Sequence, residues 1–137
     1  MEAILDECLT ITSEYPVRET MDRLEASART EGLMTFARID HAKGAASVGV
    51  PLQPMELLIF GNPRAGTRLI QANPLLGIDL PLRALVWQGG EDKTRVSAVD
   101  PGFLIERRGV ASTEALNVAQ AMTRFLTRLM QSAAKGG

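Results

Sequence analysis

From Thr113 onward, Ala115, Val118, Ala119, Met122, Phe125, Leu126, Leu129, Met130 and Ala133 recur at helical spacing and fill one broad face. Asn117, Gln120, Arg124, Arg128 and Gln131 fill the other. An amphipathic helix over 113–134 with so wide an apolar stripe has to be laid against a larger apolar surface. The rest of the chain must supply it. Lys135, Gly136 and Gly137 are expected to fray beyond the helix.

The upstream periodicities supply a sheet and a second helix. Cys8 to Thr12 alternates and predicts a first strand. Pro16 suits the first turn of a helix whose apolar stripe is Val17, Met21, Leu24 and Ala28, and Gly32 ends it. Leu33 to Ile39 predicts a second strand, and His41 to Val48 is either a short helix or a loop. Met55 to Phe60 and Leu82 to Trp87 are the strongest strands. Gly89 to Asp92 turns the chain into a returning strand, Arg95 to Val99. Asp100-Pro101 starts a short helix that Gly109 stops. Long helices near both ends around antiparallel strands imply an α+β two-layer sandwich, with the helices mainly on one face of the sheet. The 137 residues make one domain.

Composition excludes several functions. A net charge of −1 leaves no basic surplus for nucleic acid. The few aromatic residues are not interleaved with Lys or Arg as a base-stacking platform requires. Cys8 stands alone, so no intrachain disulfide forms; in an apolar strand it is expected to be a buried small hydrophobe. One His and one Cys, far apart and without a carboxylate cluster, make a metal site unexpected, and no cofactor is expected. The acidic start, Met1 to Glu7, lacks the apolar core of a signal peptide, and no run is long enough to span a membrane. A cytoplasmic protein is the expectation.

Alternation in the strong strands places Met55, Leu57 and Ile59 with Leu82, Ala84 and Val86 against the helices. The opposite face then carries Leu58, Phe60, Leu85 and Trp87, alongside Glu56 and Arg83. Either the segment Pro63 to Leu76 folds over that apolar face, or a partner covers it. A homodimer through Leu58, Phe60, Leu85 and Trp87 is the expected partner version, and an apolar-ligand cleft the second.

Between the strong strands lies the expected site. Asn62 before Pro63 predicts a capped helix from Pro63 to about Ala72, whose first turn, with Arg64, could hold an anion. Gly61-x4-Gly66-Thr67 superficially matches a phosphate loop but lacks its lysine. Helix capping alone explains most of the stretch. Gly66 is less easily explained, since a helix-interior Gly costs about 1 kcal/mol and so suggests tight packing or a ligand. Asp79 could bind a ligand or pair with Arg64 or Arg83, although turn chemistry accounts for it more simply. Arg107-Arg108 only complements a helix dipole.

The block Glu56-Leu57-Leu58-Ile59-Phe60-Gly61-Asn62-Pro63-x-Ala65-Gly66-Thr67, with Gln71-Ala72, Asp79-Leu80-Pro81 and Leu85-Val86-Trp87, resembles a bacterial and archaeal family, domain of unknown function 302. Glu19-Thr20-x-x-Arg23-Leu24-Glu25, Arg38-Ile39-Asp40-His41, Val96-Ser97, Asp100-Pro101, Leu104 and Glu106-Arg107 extend the likeness over roughly residues 10 to 110. The resemblance implies a compact two-layer fold with a TATA-binding-protein-like order of strands and helices, often dimeric, and no established activity. One branch of the family has Cys where this chain has Gly61 and Leu82, so that branch's thiol or metal chemistry does not carry over. The family's usual hairpin Tyr is Ala98 here.

The functional expectation is a homodimeric small-ligand- or anion-binding domain, with Asn62, Arg64, Thr67 and Asp79 at its site. A catalytic alternative uses His41, the single histidine, as general acid or base. If the strands are sequentially antiparallel, however, His41 and Asn62 fall at opposite ends of the sheet. A third alternative is a purely structural or protein-interaction module.

Overall fold

A computed structural model describes residues 7–136; the acidic segment Met1–Asp6 and Gly137 lie outside it. The chain runs β1 (Cys8–Ser13), α1 (Val17–Thr30), β2 (Met34–Asp40), α2 (His41–Ser47), β3 (Met55–Gly61), α3 (Pro63–Ala72), α4 (Leu76–Asp79), β4 (Leu82–Gln88), β5 (Thr94–Val99), α5 (Pro101–Arg107) and α6 (Thr113–Ala134). The strands form one sheet in the order β1-β5-β4-β3-β2, antiparallel at every pairing. The architecture is the α+β sandwich that the periodicities predicted. α4 is an addition that the sequence did not disclose.

α1 and α6 pack on each other and on one face of the sheet. Met21 and Leu24 from α1 and Leu126 and Met130 from α6 close over Leu58, Phe60, Val86 and Val96. Gly32, at φ +80°, ends α1 in the left-handed conformation expected of it. Arg23 ties down the far end of α6: its Nη2 donates to the Lys135 carbonyl at 2.7 Å, so Lys135 is held where fraying was expected. A smaller core joins Leu69 of α3, Leu76 of α4, Leu104 and Ile105 of α5, and Ala115 and Ala119 at the start of α6. The Pro63–Leu76 segment therefore packs on α6 and does not cover the open sheet face.

Three sequence expectations are corrected. The two faces of β3 are exchanged: Leu58 stands opposite Ala84 and Phe60 opposite Leu82, all toward the helices. Leu58 and Phe60 are 0% exposed, so they belong to the core and not to an open interface. Met55, Leu57 and Ile59 share the open face with Leu85 and Trp87, which were placed there correctly. The cause is register, because a slip of one residue moves every side chain of a strand to the other face. Glu56 was expected on the open face alongside Leu58 and Phe60. It is instead buried and bonded to Arg38 at 2.7 Å. Cys8, finally, is exposed on edge strand β1 and not buried as expected; partial desolvation of its thiol, with the neighbouring Glu7 charge, raises its pKa.

Candidate functional site

α3 begins as its sequence requires. Asn62 Oδ1 accepts the Arg64 backbone N–H at 2.9 Å, and Pro63 occupies the first helical position. The helix leaves the end of β3 and leans on α6, which opens a cleft of about 380 Å³ between them. Asn62, Arg64 and Arg68 form its polar side; Leu33, Val118, Met122 and Phe125 are among its apolar walls. Arg64 and Arg68 lie one turn apart on the same helix face. Among the described residues neither guanidinium has an ion-pair partner. Among the described residues Glu31, itself exposed, is the one acidic residue lining the cleft. The volume falls within the ordinary range of small-molecule sites, about 300–1,000 Å³.

A second cavity, of about 140 Å³, lies on the other side of α3. Phe36, Gly66, Thr67, Ile70, Leu80 and Pro81 line it, with no charged side chain among the described residues. Asn62, Leu82 and Met122 line both cavities. A Cβ built on Gly66 would meet nothing within 4 Å. Tight packing does not explain this glycine; it faces empty space.

Of the four expected ligand residues, the structure brings Asn62 and Arg64 into the larger cleft and Thr67 into the smaller cavity. Asp79 enters neither. It is buried, with Arg107 Nη2 on Oδ1 at 2.7 Å and Arg108 Nε on Oδ2 at 2.8 Å. The Arg108 hydrogen bonds hold its carboxyl below the ordinary aspartate range against the opposing effect of burial, and the charges of Arg108 and Arg107 add to them. Neither Arg64 nor Arg83 pairs with that carboxylate; Arg83 Nη2 reaches only the Asp79 backbone carbonyl, at 3.4 Å. Asp79 thus anchors α4 to α5, and Arg107-Arg108 has the partner that the sequence reading did not give it.

His41 sits at the other end of the sheet from Asn62, as sequential antiparallel pairing of β2, β3 and β4 dictates. It is exposed at the start of α2, where Asp40 caps the helix by accepting the Lys43 N–H at 2.8 Å. A polar groove opens nearby, lined by Arg18, Asp22, Arg38, Asp40, Lys43 and Glu56, but His41 does not line it. Its acids are already engaged. Arg38 binds Glu56 and Asp22 at 2.7 Å and Glu25 at 3.3 Å. Burial opposes the Arg38 charge, yet the hydrogen bonds it donates to Glu56, Asp22 and Glu25 raise its pKa above the ordinary value.

Two residues important to the cleft were missed from sequence, Arg68 and Met122. Arg68 had a signal in its spacing of four from Arg64; Met122 could not be told from its core neighbours on α6. Among the described residues no helix is long and apolar enough to cross a membrane, and no group of His, Cys, Asp or Glu comes together as a metal site.

Comparison with known proteins places these features in context. A family model described as domain of unknown function DUF302 matches residues 9–131. The crystal structure of an uncharacterized conserved DUF302 protein from Bacillus stearothermophilus superposes with a TM-score of 0.82 at 22% identity, covering 93% of this chain and 98% of that one, which establishes the likeness of fold. Fluoride-specific ion channel FluC 1 of Brucella suis is 40% identical over 131 residues, spanning 93% of this chain and 52% of the channel protein. The protein of the same name from Brucella abortus is 40% identical over 131 residues, 93% of this chain and 48% of its own length. The chain therefore spans about half the length of the curated relatives it matches.

Proposed function

The chain belongs to the DUF302 family, and we propose that it is a small-ligand-binding domain whose α3–α6 cleft takes an anion. One observation carries this reading. Arg64 and Arg68 present two guanidiniums on one helix face beside an apolar cleft, with no ion-pair partner among the described residues. Guanidiniums so placed suit a carboxylate or phosphate, which they bind through planar, bidentate hydrogen bonds. The test is thermal shift with sodium phosphate and sodium acetate at constant ionic strength. Ligand at a hundredfold its Kd stabilises the folded chain by about 2.7 kcal/mol, and the R64A/R68A double variant should lose that gain. Equal shifts in both proteins would sink the reading.

The Brucella relatives are named fluoride-specific ion channels, and this chain matches about half of each. A channel must cross a membrane, and no helix among the described residues of this chain can do so. The reading takes from these relatives only an accessory role beside a channel, supported by the match to about half of each. A cleft of about 380 Å³ is far larger than one halide ion, so fluoride is not the ligand assigned to it. Sodium fluoride should stabilise the chain no more than sodium chloride. A fluoride-specific shift abolished by R64A/R68A would overturn that assignment.

The reading includes a second copy of the chain on the open sheet face. Ile39, Leu57 and Leu85 form an apolar row across β2, β3 and β4, flanked by Met55 and Trp87. His41, exposed and outside the lining of the nearby polar groove, is not favoured as an acid or base.

A further inference from the structure

We propose that the two cavities flanking α3 are head and tail compartments of one site, which takes a single-chain amphiphile with an anionic head. The inference rests on the anion reading of the cleft and names the ligand class. The compartments differ in chemistry as the two ends of such a molecule do. The larger holds Arg64 and Arg68, with Glu31 as its one acid, whereas the smaller holds no charged side chain, among the described residues. They adjoin, because Asn62, Leu82 and Met122 line both. Met122 packs against both hydrophobic cores and stands between the compartments, and its unbranched, adaptable side chain suits a movable partition.

Gly66 supplies an independent observation. A glycine inside a helix is a standing cost against alanine, and here no neighbouring atom requires it, since its Cβ would meet nothing within 4 Å. What its missing side chain does provide is room in the uncharged compartment. That compartment, about 140 Å³, is close to the engineered apolar cavity of about 150 Å³ that admits benzene, so it has room for about six carbons. The occupant is therefore a medium-chain acyl or alkyl anion, its head on the arginines and its chain passing Met122.

The test is a titration series. Straight-chain carboxylates from acetate to dodecanoate, below their micellar concentrations, are titrated calorimetrically into the wild-type chain, G66A, G66L and R64A/R68A. In the wild type, affinity should rise about fourfold per methylene once the chain reaches the second compartment, and then level off. G66L should abolish that rise, and G66A should blunt it. R64A/R68A should weaken every member of the series by a similar factor. Decyl phosphate run beside decanoate identifies the preferred head, and tighter binding of either to wild type than to G66L supports the site. Acetate binding with no dependence on chain length, or the same dependence in G66L, would overturn the two-compartment site and leave the anion cleft standing. No binding by any carboxylate or phosphate would overturn both. A chain-length rise that R64A/R68A leaves untouched would overturn the assignment of the head to the arginines.

Discussion

Arg108 grips Asp79 with two nitrogens, Nε on Oδ2 at 2.8 Å and Nη2 on Oδ1 at 3.2 Å, across 29 residues of sequence. Arg107 adds a third bond, so a carboxylate only 5% exposed is satisfied by its neighbours. Because the folded-state pKa of Asp79 is depressed, its contribution is fully present above the unfolded value, about 3.9. It is lost as pH falls through the folded value. Chemical denaturation should find D79N destabilised by about 2 kcal/mol at neutral pH, between exposed and buried ion pairs. The gap between wild type and D79N should close well below pH 4. A constant gap down to the acid limit would show that Asp79 acts through something other than its charge.

Arg38 and Glu56 make a second prediction. Glu56 is 8% exposed under α1, and Arg38 Nε holds it at 2.7 Å. Removing the arginine strands a buried acid, so R38M should cost about 3 kcal/mol, whereas replacing both partners by apolar groups restores packing without a lone charge. The R38M/E56L double variant should therefore recover most of the loss. A double variant as unstable as R38M would mean that the loss comes from packing alone.

These two pairs also show where the sequence could be read and where it could not. Asn62-Pro63 and Asp100-Pro101 both start helices with the cap expected, because a cap is satisfied within a few residues. The order of strands followed from local periodicity for the same reason. The face of β3 did not, since Met55 to Phe60 is apolar on both sides and the single charge in it is neutralised from another strand. Asp79 and Arg108 likewise meet only after α4 and α5 have docked. The cleft is a gap between two elements, so no stretch of sequence encodes it. Asn62 and Arg64 were found because the cap that starts α3 also sets the mouth of that gap.

Gly66 gives a prediction about stability alone. If its role were close packing, any side chain would be harmful. With nothing within 4 Å of its Cβ, G66A should instead stabilise the free protein by about 0.5–1 kcal/mol, through helix propensity and a less flexible unfolded chain. Thermal melts of the two proteins without ligand decide it, and a lowered Tm for G66A would contradict the open space beside α3.

Leu57 and Leu58 are sequence neighbours with opposite fates, and they test both the register of β3 and the proposed second copy. Leu58 is 0% exposed beneath α1 and α6, opposite Ala84, so L58A should cost about 2–5 kcal/mol of stability. Leu57 stands opposite Leu85 on the open face, where truncation leaves no enclosed cavity, and L57A should cost less than about 1 kcal/mol at protein concentrations too low for association. A charge at that position acts on assembly instead. L57K should keep a native circular dichroism spectrum while sedimenting as a monomer, against a dimer for the wild type, because a lysine in the middle of the Ile39–Leu57–Leu85 row would have to be desolvated against a second copy. Wild type and L57K both monomeric at micromolar concentration would remove the second copy from the open face. Equal costs for L57A and L58A would instead contradict the register that places Leu58 in the core.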